Sequence, residues 1–452
     1  MHGYLTEHEF LTNAARPLGG YFAVVAVLNA LAGYWLIRSA RAPTSGRSRR
    51  RAAVLWFLVA GLFAGLSAVA FAGRTDLLAL PQELRSTVNQ LLGPMSICTG
   101  SLVTVLVMFW LRGFFVRPSV AWTLLNLALL FMGLSLTDQD FAKIVTKPDN
   151  IAIVSLMFLL GYFTWLSAYK AVQNDRRLAR GEEPLEKLDS DTVLVWPDLV
   201  YIELICMVIL TAVLIFWAVG VTAPLEEPAS AVRTPNPSKA PWYFVGLQEM
   251  LYYFDPWMAG VVLPGLIIFG LMAIPYLDRN PRGNGYYTIQ ERRFAYFTFQ
   301  FGFLLLWIML ILMGTFMRGP NWSFFGLYEP WDVHKVTAQN NVTLSQYFWI
   351  DCLGIGLPQP AAEARGAARL AMILLRESPG LLLLLAYFFL VPAALAKATS
   401  LFRDLRQSLG RNRYLVMTTL LLIMLLLPIK MVARWTGNLQ YIVAIPEYFL
   451  NL

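Results

Sequence analysis

The chain has 452 residues, of which 57% are hydrophobic and only 14% are charged, and its mean hydropathy is +0.56. Soluble domains carry about 25% charged residues, so this composition excludes a soluble globular protein and indicates an integral membrane protein. The net charge of +8 could suit a nucleic-acid ligand in a soluble chain. In a membrane protein, an excess of Lys and Arg marks cytoplasmic loops instead, and we predict no nucleic-acid partner.

Ten apolar runs are long enough to cross a hydrocarbon core of ~30 Å as helices. They predict an all-α fold, a polytopic transmembrane helical bundle of about ten spans. The first run follows a start without a charged region or a cleavage site, so we predict a retained helix rather than a signal peptide. The runs are 19–37, 53–73, 97–115, 120–137, 151–172, 199–222, 257–277, 294–317, 379–398 and 414–432.

Basic residues are concentrated in alternate loops, which hold more than half of the 36 Lys and Arg residues. This alternation predicts that these loops are cytoplasmic and that both termini lie on the outer side. The longer loops, 223–256 and 318–368, then also lie outside. The basic loops are 38–51, 112–117, 170–187, 279–293 and 397–413.

Metal ligands are scarce in this chain. It has three Cys and three His, and it lacks the Cys-x-x-Cys-His motif of covalent haem attachment. His2 and His8 are close to the N-terminus and His334 lies in a predicted outer loop, so no His lies within a predicted span. We therefore predict that this chain ligates neither haem nor another metal. Cys98, Cys206 and Cys352 are far apart in sequence and are expected to be small apolar fillers.

The predicted outer loop 223–256 holds a run of aromatic residues beside two acids. Pro241, Trp242, Tyr243 and Phe244 are followed by Glu249 and Asp255. The aromatic residues alone could form an interfacial belt. An aromatic shelf next to a carboxylate at the outer membrane surface also suits a flat redox ring that must release a proton.

Residues 193–317 resemble the C-terminal domain of cytochrome b, or subunit IV of its photosynthetic relatives. The resemblance is carried by the helix entry Trp196-Pro197-Asp198, an acidic Pro-rich loop at 223–228, and Ala240-Pro241-Trp242-Tyr243-Phe244. The resemblance implies a three-helix domain with a short surface helix in the outer loop. We predict a five-span region of unknown role before it, at 1–192. An outer loop region at 318–368 and two further spans with a tail at 369–452 follow, and these spans are expected to dock other subunits.

The resemblance further implies a haem-free membrane subunit of a quinol-oxidising cytochrome bc-type complex, respiratory or photosynthetic. Quinol would bind in an outer pocket against Pro241, Trp242, Tyr243 and Phe244, and its oxidation would contribute to proton translocation. The expected partners are a haem-binding cytochrome b-type subunit, a Rieske-type iron–sulfur protein and a cytochrome c-type subunit. These partners would hold haem b and the iron–sulfur cluster, in an energy-transducing membrane such as the bacterial inner membrane. The chain would then act as a quinol:cytochrome c-type oxidoreductase only within that complex.

One departure from the family concerns the quinol proton. The glutamate of the family motif is Pro241 here, and we predict that Glu249 replaces it as the proton acceptor. Seven helical residues advance ~10.5 Å and return to nearly the same face. Alternatively, Glu249 pairs with a base such as Lys239. Asp255 is the reserve candidate, followed by Glu226 or Glu227.

Asp198 and Glu203 lie near the cytoplasmic start of the predicted sixth span. By resemblance, they are candidates for proton uptake at an inner quinone site. Asp198 could instead cap the helix that begins near Leu199. Glu203 could simply pair with a cytoplasmic Arg.

Two other functions fit parts of the sequence. Ten spans permit a secondary transporter or an ion-translocating subunit, although no internal repeat is visible. A structural anchor that has lost quinol chemistry is the other alternative, and Pro241 in place of the motif glutamate favours it.

Overall fold

The computed structural model describes residues 6–39, 46–188, 192–222, 228–278, 285–337, 340–361, 363 and 365–452. Within these ranges, nine helices are long and apolar enough to cross a membrane. They confirm the predicted all-α polytopic bundle, and each overlaps one predicted span. Their bounds are Glu7–Ser39, Ser48–Phe71, Pro118–Ser135, Pro148–Ala179, Val195–Gly220, Met258–Leu277, Arg293–Met317, Ser378–Ala398 and Arg411–Gly437.

The remaining predicted span, 97–115, is part of a bent pair. The segments Thr75–Leu91 and Pro94–Trp110 meet at 82° and count as a tenth span only if they are taken together. Proline is favoured at the first position of a helix, because the N–H that it lacks would have no intrahelical partner there, which explains the new start at Pro94. The second helix ends at Trp110, earlier than predicted, and a short turn, Arg112–Phe115, follows.

Short elements connect the spans. Asn438 adopts a left-handed conformation with φ 52°, which ends the last span and turns the chain into a strand. Parallel strands pair Val342–Thr343 with Leu439–Tyr441, and antiparallel strands pair Ala444–Ile445 with Leu450–Asn451. The short helices are Gln82–Leu91, Gln139–Val145, Leu185–Leu188, Trp242–Met250, Leu344–Gln346, Tyr347–Cys352, Gly366–Arg376 and Ser400–Leu409, with single turns at Thr75–Leu78, Pro320–Trp322 and Pro446–Tyr448.

The chain forms two compact units. The first comprises Met1–Arg85, Val107–Ser238 and Gly285–Arg293. Its core is built from Leu18, Phe22, Val25, Phe63, Ala70 and Leu78. A buried network joins two of its spans: Asn29 Nδ2 donates to Asn126 Oδ1 at 2.6 Å, and Trp122 Nε1 donates to Asn29 Oδ1 at 2.9 Å. Such side-chain hydrogen bonds hold helices together in lipid, where apolar surfaces give little drive to associate.

One helix of the first unit is apart from its core. Val195–Gly220 has a mean hydropathy of 2.7 over its most apolar window, and 0% of that window is buried by the described chain. Apolar surface of this kind is stable against lipid or against another polypeptide, and unstable against water.

The second unit comprises Ser86–Leu106, Lys239–Asn284 and Phe294–Leu452. Its core joins residues that are far apart in sequence: Tyr253 and Phe254 pack with Leu426, Leu427 and Met431 of the last span. The last span therefore supports the segment that carries the aromatic shelf. The division of the chain into the segments 1–192, 193–317, 318–368 and 369–452 remains a prediction.

Candidate functional site

The short helix Trp242–Met250, here named the shelf helix, carries the aromatic residues. Pro241 precedes its first turn, and the Pro241 carbonyl accepts hydrogen bonds from the N–H groups of Phe244 at 2.8 Å and Val245 at 3.0 Å. Tyr243 and Phe244 are 52% and 54% exposed. The ring centroids lie 5.6 Å apart for Trp242 and Tyr243 and 4.9 Å apart for Tyr243 and Phe244. The sequence therefore places three adjacent rings, two of them accessible, at one end of the helix.

The opposite face of the shelf helix packs against the span Arg293–Met317. A Cβ added to Gly246 would lie 3.2 Å from Ile311 Cγ1, and one added to Gly314 would lie 3.2 Å from the carbonyl oxygen of Val245. Small residues at such contacts allow two helices to approach closely. This contact holds the shelf helix against the span.

Glu249 lies on the buried face and is 0% exposed. Its carboxylate forms an ion pair with Arg318, whose Nη2 lies 2.7 Å from Oε1 and whose Nε lies 3.0 Å from Oε2. The Tyr253 hydroxyl donates to Oε1 at 3.0 Å, and Trp322 Nε1 donates to Oε2 at 3.2 Å. Four donor groups from three other residues thus hold the charge of Glu249 in place.

The environment of Arg318 is consistent with a permanent ion pair. Burial alone would lower the pKa of the guanidinium, but the Glu249 carboxylate outweighs burial and raises this pKa. Burial, followed by the charge of Glu249, raises the pKa of the Tyr253 hydroxyl well above its usual range. Arg318 Nη1 also donates to the Trp322 carbonyl at 3.0 Å, and the guanidinium carbon lies 4.2 Å from the Tyr252 ring centroid.

Lys239 has a different partner from the one considered for it in the sequence. Its Nζ donates to the Thr315 carbonyl at 2.7 Å and lies 4.7 Å from the centroid of the Trp331 ring. The base that pairs with Glu249 is Arg318, 69 positions along the chain. Arg318 follows directly after the end of a span, on the predicted outer side. An Arg there departs from the charge bias of the loops, and this departure was the sequence signal that could have identified Arg318 as a partner for an acid.

Asp255 is half-buried and begins the next helix. Its Oδ1 accepts a 3.4 Å hydrogen bond from the Trp257 N–H, its carbonyl accepts one from the Ala259 N–H at 2.9 Å, and its Oδ2 accepts one from Asn451 Nδ2 at 3.1 Å. Asp255 therefore lies just before the span Met258–Leu277 and contacts the C-terminal strand, and the residue is partly exposed. Glu226 and Glu227, the further reserve candidates, lie outside the described residues.

Asp198 and Glu203 lie on the exposed helix of the first unit, and both are exposed. The capping interpretation of Asp198 is wrong: Leu199 is at the N-cap of the helix that starts at Val200, and no side chain caps it. Within the described residues, neither carboxylate has a hydrogen-bond or ion-pair partner.

The described residues offer few groupings of metal-ligating side chains. No three His, Cys, Asp or Glu side chains there come together as a metal site requires. Of the three histidines, His8 and His334 are exposed and His2 lies outside the described residues.

Comparison with known proteins covers the same segment as the shelf. Residues 228–328, less than a quarter of the chain, match the family model described as cytochrome b (C-terminal)/b6/petD. The match includes Pro241, the shelf helix, Asp255 and Arg318, but not Asp198 or Glu203. No solved structure matches the chain. Residues 228–328 of this integral membrane protein, most of which belong to the second unit, therefore resemble the C-terminal region of cytochrome b and its b6/petD relatives, and the resemblance suggests a membrane subunit of a cytochrome bc-type complex.

Proposed function

We propose that this chain is a haem-free membrane subunit of a quinol-oxidising cytochrome bc-type complex, and that its aromatic shelf forms one wall of the outer quinol pocket. The observation that carries the proposal is the accessible pair Tyr243 and Phe244, inside the segment that matches the family. Offset or edge-to-face contacts with aromatic rings stabilise a flat ring by about 0.5–1.5 kcal/mol each beyond the area they bury. Pro241 fixes the start of the shelf helix and Trp242 extends the apolar surface.

The proposed reaction removes two electrons and two protons from the quinol and leaves the quinone. One electron passes to a Rieske-type iron–sulfur protein, and the other passes to a haem-binding cytochrome b-type subunit. A cytochrome c-type subunit completes the complex. Both protons leave toward the outer side. Separating charge across the bilayer conserves about 2.3 kcal/mol per charge at 100 mV, which gives the outer position of the pocket its energetic value.

The residues of this chain do not fit a haem, because its described histidines are both exposed, His8 in the first turn of the helix Glu7–Ser39 and His334 in a loop. We therefore assign haem b and the iron–sulfur cluster to partner subunits, and this chain supplies binding and proton transfer only.

The two acids near the shelf are assigned different roles. Protonating Glu249 would leave the buried guanidinium of Arg318 without its counter-charge, and losing one partner of a buried pair costs about 3–5 kcal/mol. Asp255 is only half-buried, and its carboxylate accepts hydrogen bonds of 3.4 Å and 3.1 Å from uncharged groups. We therefore assign proton acceptance to Asp255 and the positioning of the shelf helix to Glu249.

The test compares Asp255→Asn with Glu249→Gln in the intact complex. The measured quantity is the pre-steady-state rate at which quinol reduces the cytochrome b-type subunit, at a series of pH values. The expected result is a slower reduction with loss of the acid-limb titration in Asp255→Asn. Glu249→Gln should lower subunit content or thermal stability and retain the titration. Loss of the titration in Glu249→Gln, with unchanged subunit content, would return proton acceptance to Glu249.

The structural-anchor alternative is favoured by one observation, the buried ion pair that Glu249 forms with Arg318. An anchor would assemble with its partners, but substitution of Tyr243 and Phe244 would leave quinol oxidation and its block by outer-site inhibitors unchanged.

A further inference from the structure

The first unit contains a cavity whose lining comes mostly from residues outside the segment that matches the family; of the lining residues, Gln290 belongs to that segment. The cavity has a volume of about 360 Å³, and its lining includes Trp110, Arg112 and Arg176. Trp110 is the last residue of one membrane-crossing segment, and Arg176 lies in the last turn of the helix Pro148–Ala179. The cavity is therefore at the level where spans end, on the side that the basic loops predict to be cytoplasmic.

Two guanidinium groups give the cavity its charge. Arg176 is exposed, and within the described residues it has no hydrogen-bond or ion-pair partner. Its Nη2 would lie 3.7 Å from a Cβ added to Gly113, an ordinary contact distance that places the guanidinium beside Gly113 in the cavity wall. Arg112 donates from Nη1 to the Phe109 carbonyl at 3.2 Å and lies over the Phe109 ring, which leaves its other N–H groups for a ligand.

The acid in the cavity wall is already engaged. Asp175 is buried, its Oδ1 accepts the Thr288 hydroxyl at 2.6 Å, and its carboxylate accepts the backbone N–H groups of Ile289 and Gln290 at 3.2–3.4 Å. The donors from Thr288, Ile289 and Gln290 offset the negative charge of the Asp175 carboxylate. The lining therefore presents two cations and one compensated anion.

We infer that this cavity binds a phosphate group, with Arg112 and Arg176 as its ligands and the headgroup of an anionic phospholipid as its first source. Guanidinium groups match the geometry of phosphate oxygens and form charge-assisted hydrogen bonds with them. The exposed indole of Trp110 sits where tryptophan accumulates, at the membrane–water interface. Basic pockets between span ends on the cytoplasmic side are suited to acidic lipid headgroups.

The test uses the full chain purified in detergent and then placed in nanodiscs of phosphatidylcholine with a minor fraction of phosphatidylglycerol. Native mass spectrometry counts the phosphatidylglycerol molecules that remain on the chain. The expected result is at least one molecule retained by the wild type, and about 10-fold weaker retention by Arg176→Gln and Arg112→Gln. Arg117→Gln is the matched control, because Arg117 is close in sequence but does not line the cavity.

A second arm separates the two sources of phosphate. Inorganic phosphate is titrated calorimetrically into the lipid-depleted chain in detergent. Binding that depends on Arg112 and Arg176, without retention of phosphatidylglycerol, would support the site and assign it to a free phosphate compound. Equal lipid retention by wild type, Arg176→Gln and Arg112→Gln, together with no phosphate binding, would overturn the inference. Because Arg176 has no described partner within the chain, its substitution is not expected to impair folding.

Discussion

Glu249 in the second unit and the acids Asp198 and Glu203 in the first unit have opposite environments. In the second unit, Glu249 is fully buried and both of its oxygens accept hydrogen bonds from Arg318 and its neighbours. In the first unit, Asp198 and Glu203 are exposed on a helix whose apolar window is 0% buried. A carboxylate already neutralised inside the chain stabilises the fold. A carboxylate without a described partner is available to water, lipid headgroups or another subunit.

The largest expected effect comes from breaking the buried pair. Arg318→Ala leaves the Glu249 charge buried without its partner, and we expect a loss of about 3–5 kcal/mol in the free energy of unfolding. Thermal unfolding of the detergent-solubilised chain measures it. The matched control, Glu249→Leu with Arg318→Met, removes both charges and should recover most of the loss. An Arg318→Ala chain as stable as the wild type would show that the pair contributes nothing.

A second ion pair in the same unit predicts a pH dependence. Arg376, itself buried, donates from Nη1 and Nη2 to the two carboxylate oxygens of Glu447, both at 2.8 Å. Hydrogen bonding from Arg376 lowers the pKa of Glu447 below its ordinary value of 4.5. A lowered folded pKa means that the stabilisation is complete above 4.5 and is lost as the pH falls through the folded value.

We therefore expect hydrogen exchange in the tail 439–452 to accelerate as the pH falls below 4.5, after correction for intrinsic exchange, with a loss of ~2 kcal/mol in local stability. Glu447→Gln should show the faster exchange at neutral pH and no further acid dependence. A tail whose protection is independent of pH in both chains would contradict the role of this pair.

Removing the aromatic shelf is expected to act on function and not on stability. Tyr243→Ala with Phe244→Ala should raise the KM for quinol by about 10-fold in the intact complex, since aromatic anchors carry much of the binding energy at such surfaces. The melting temperature should change little because both rings are more than half exposed. Phe389→Ala is the control, an aromatic residue of the same unit that lies outside the shelf and is also more than half exposed. An unchanged KM would remove the shelf from the pocket.

The smallest structural effect is expected at the exposed acids. Asp198→Asn and Glu203→Gln should change the free energy of unfolding by less than ~0.5 kcal/mol, because neither side chain has a described partner. If these acids take up protons for an inner quinone site, each substitution should slow quinone reduction there and shift its pH profile. A lowered melting temperature would instead reveal a structural contact, and an unchanged rate and pH profile would end the proton-uptake proposal.

The spans and the shelf could be predicted from the sequence because both depend on local patterns. Each of the nine membrane-crossing helices overlaps an apolar run, although Glu7–Ser39 and Pro148–Ala179 extend well beyond the runs 19–37 and 151–172. The Pro241-Trp242-Tyr243-Phe244 run located the segment that matches the family. The partner of Glu249 could not be predicted, since Arg318 is brought to it by the packing of the shelf helix on a distant span. The role of the last span was missed for the same reason: the contact of Met431 with Tyr253 and Phe254 joins positions that no local period connects.

The close contact made by Gly246 and Gly314 has a consequence for ligand affinity. A helix interlocked in this way has little freedom to rotate or slide, so a ring that lands on Tyr243 and Phe244 does not have to order the backbone beneath it. Less conformational entropy is then lost on association, and binding depends mainly on the complementarity of the surfaces. A bulkier side chain at Gly246 or Gly314 would separate the two helices and loosen this preorganised surface without altering any residue that faces the ligand.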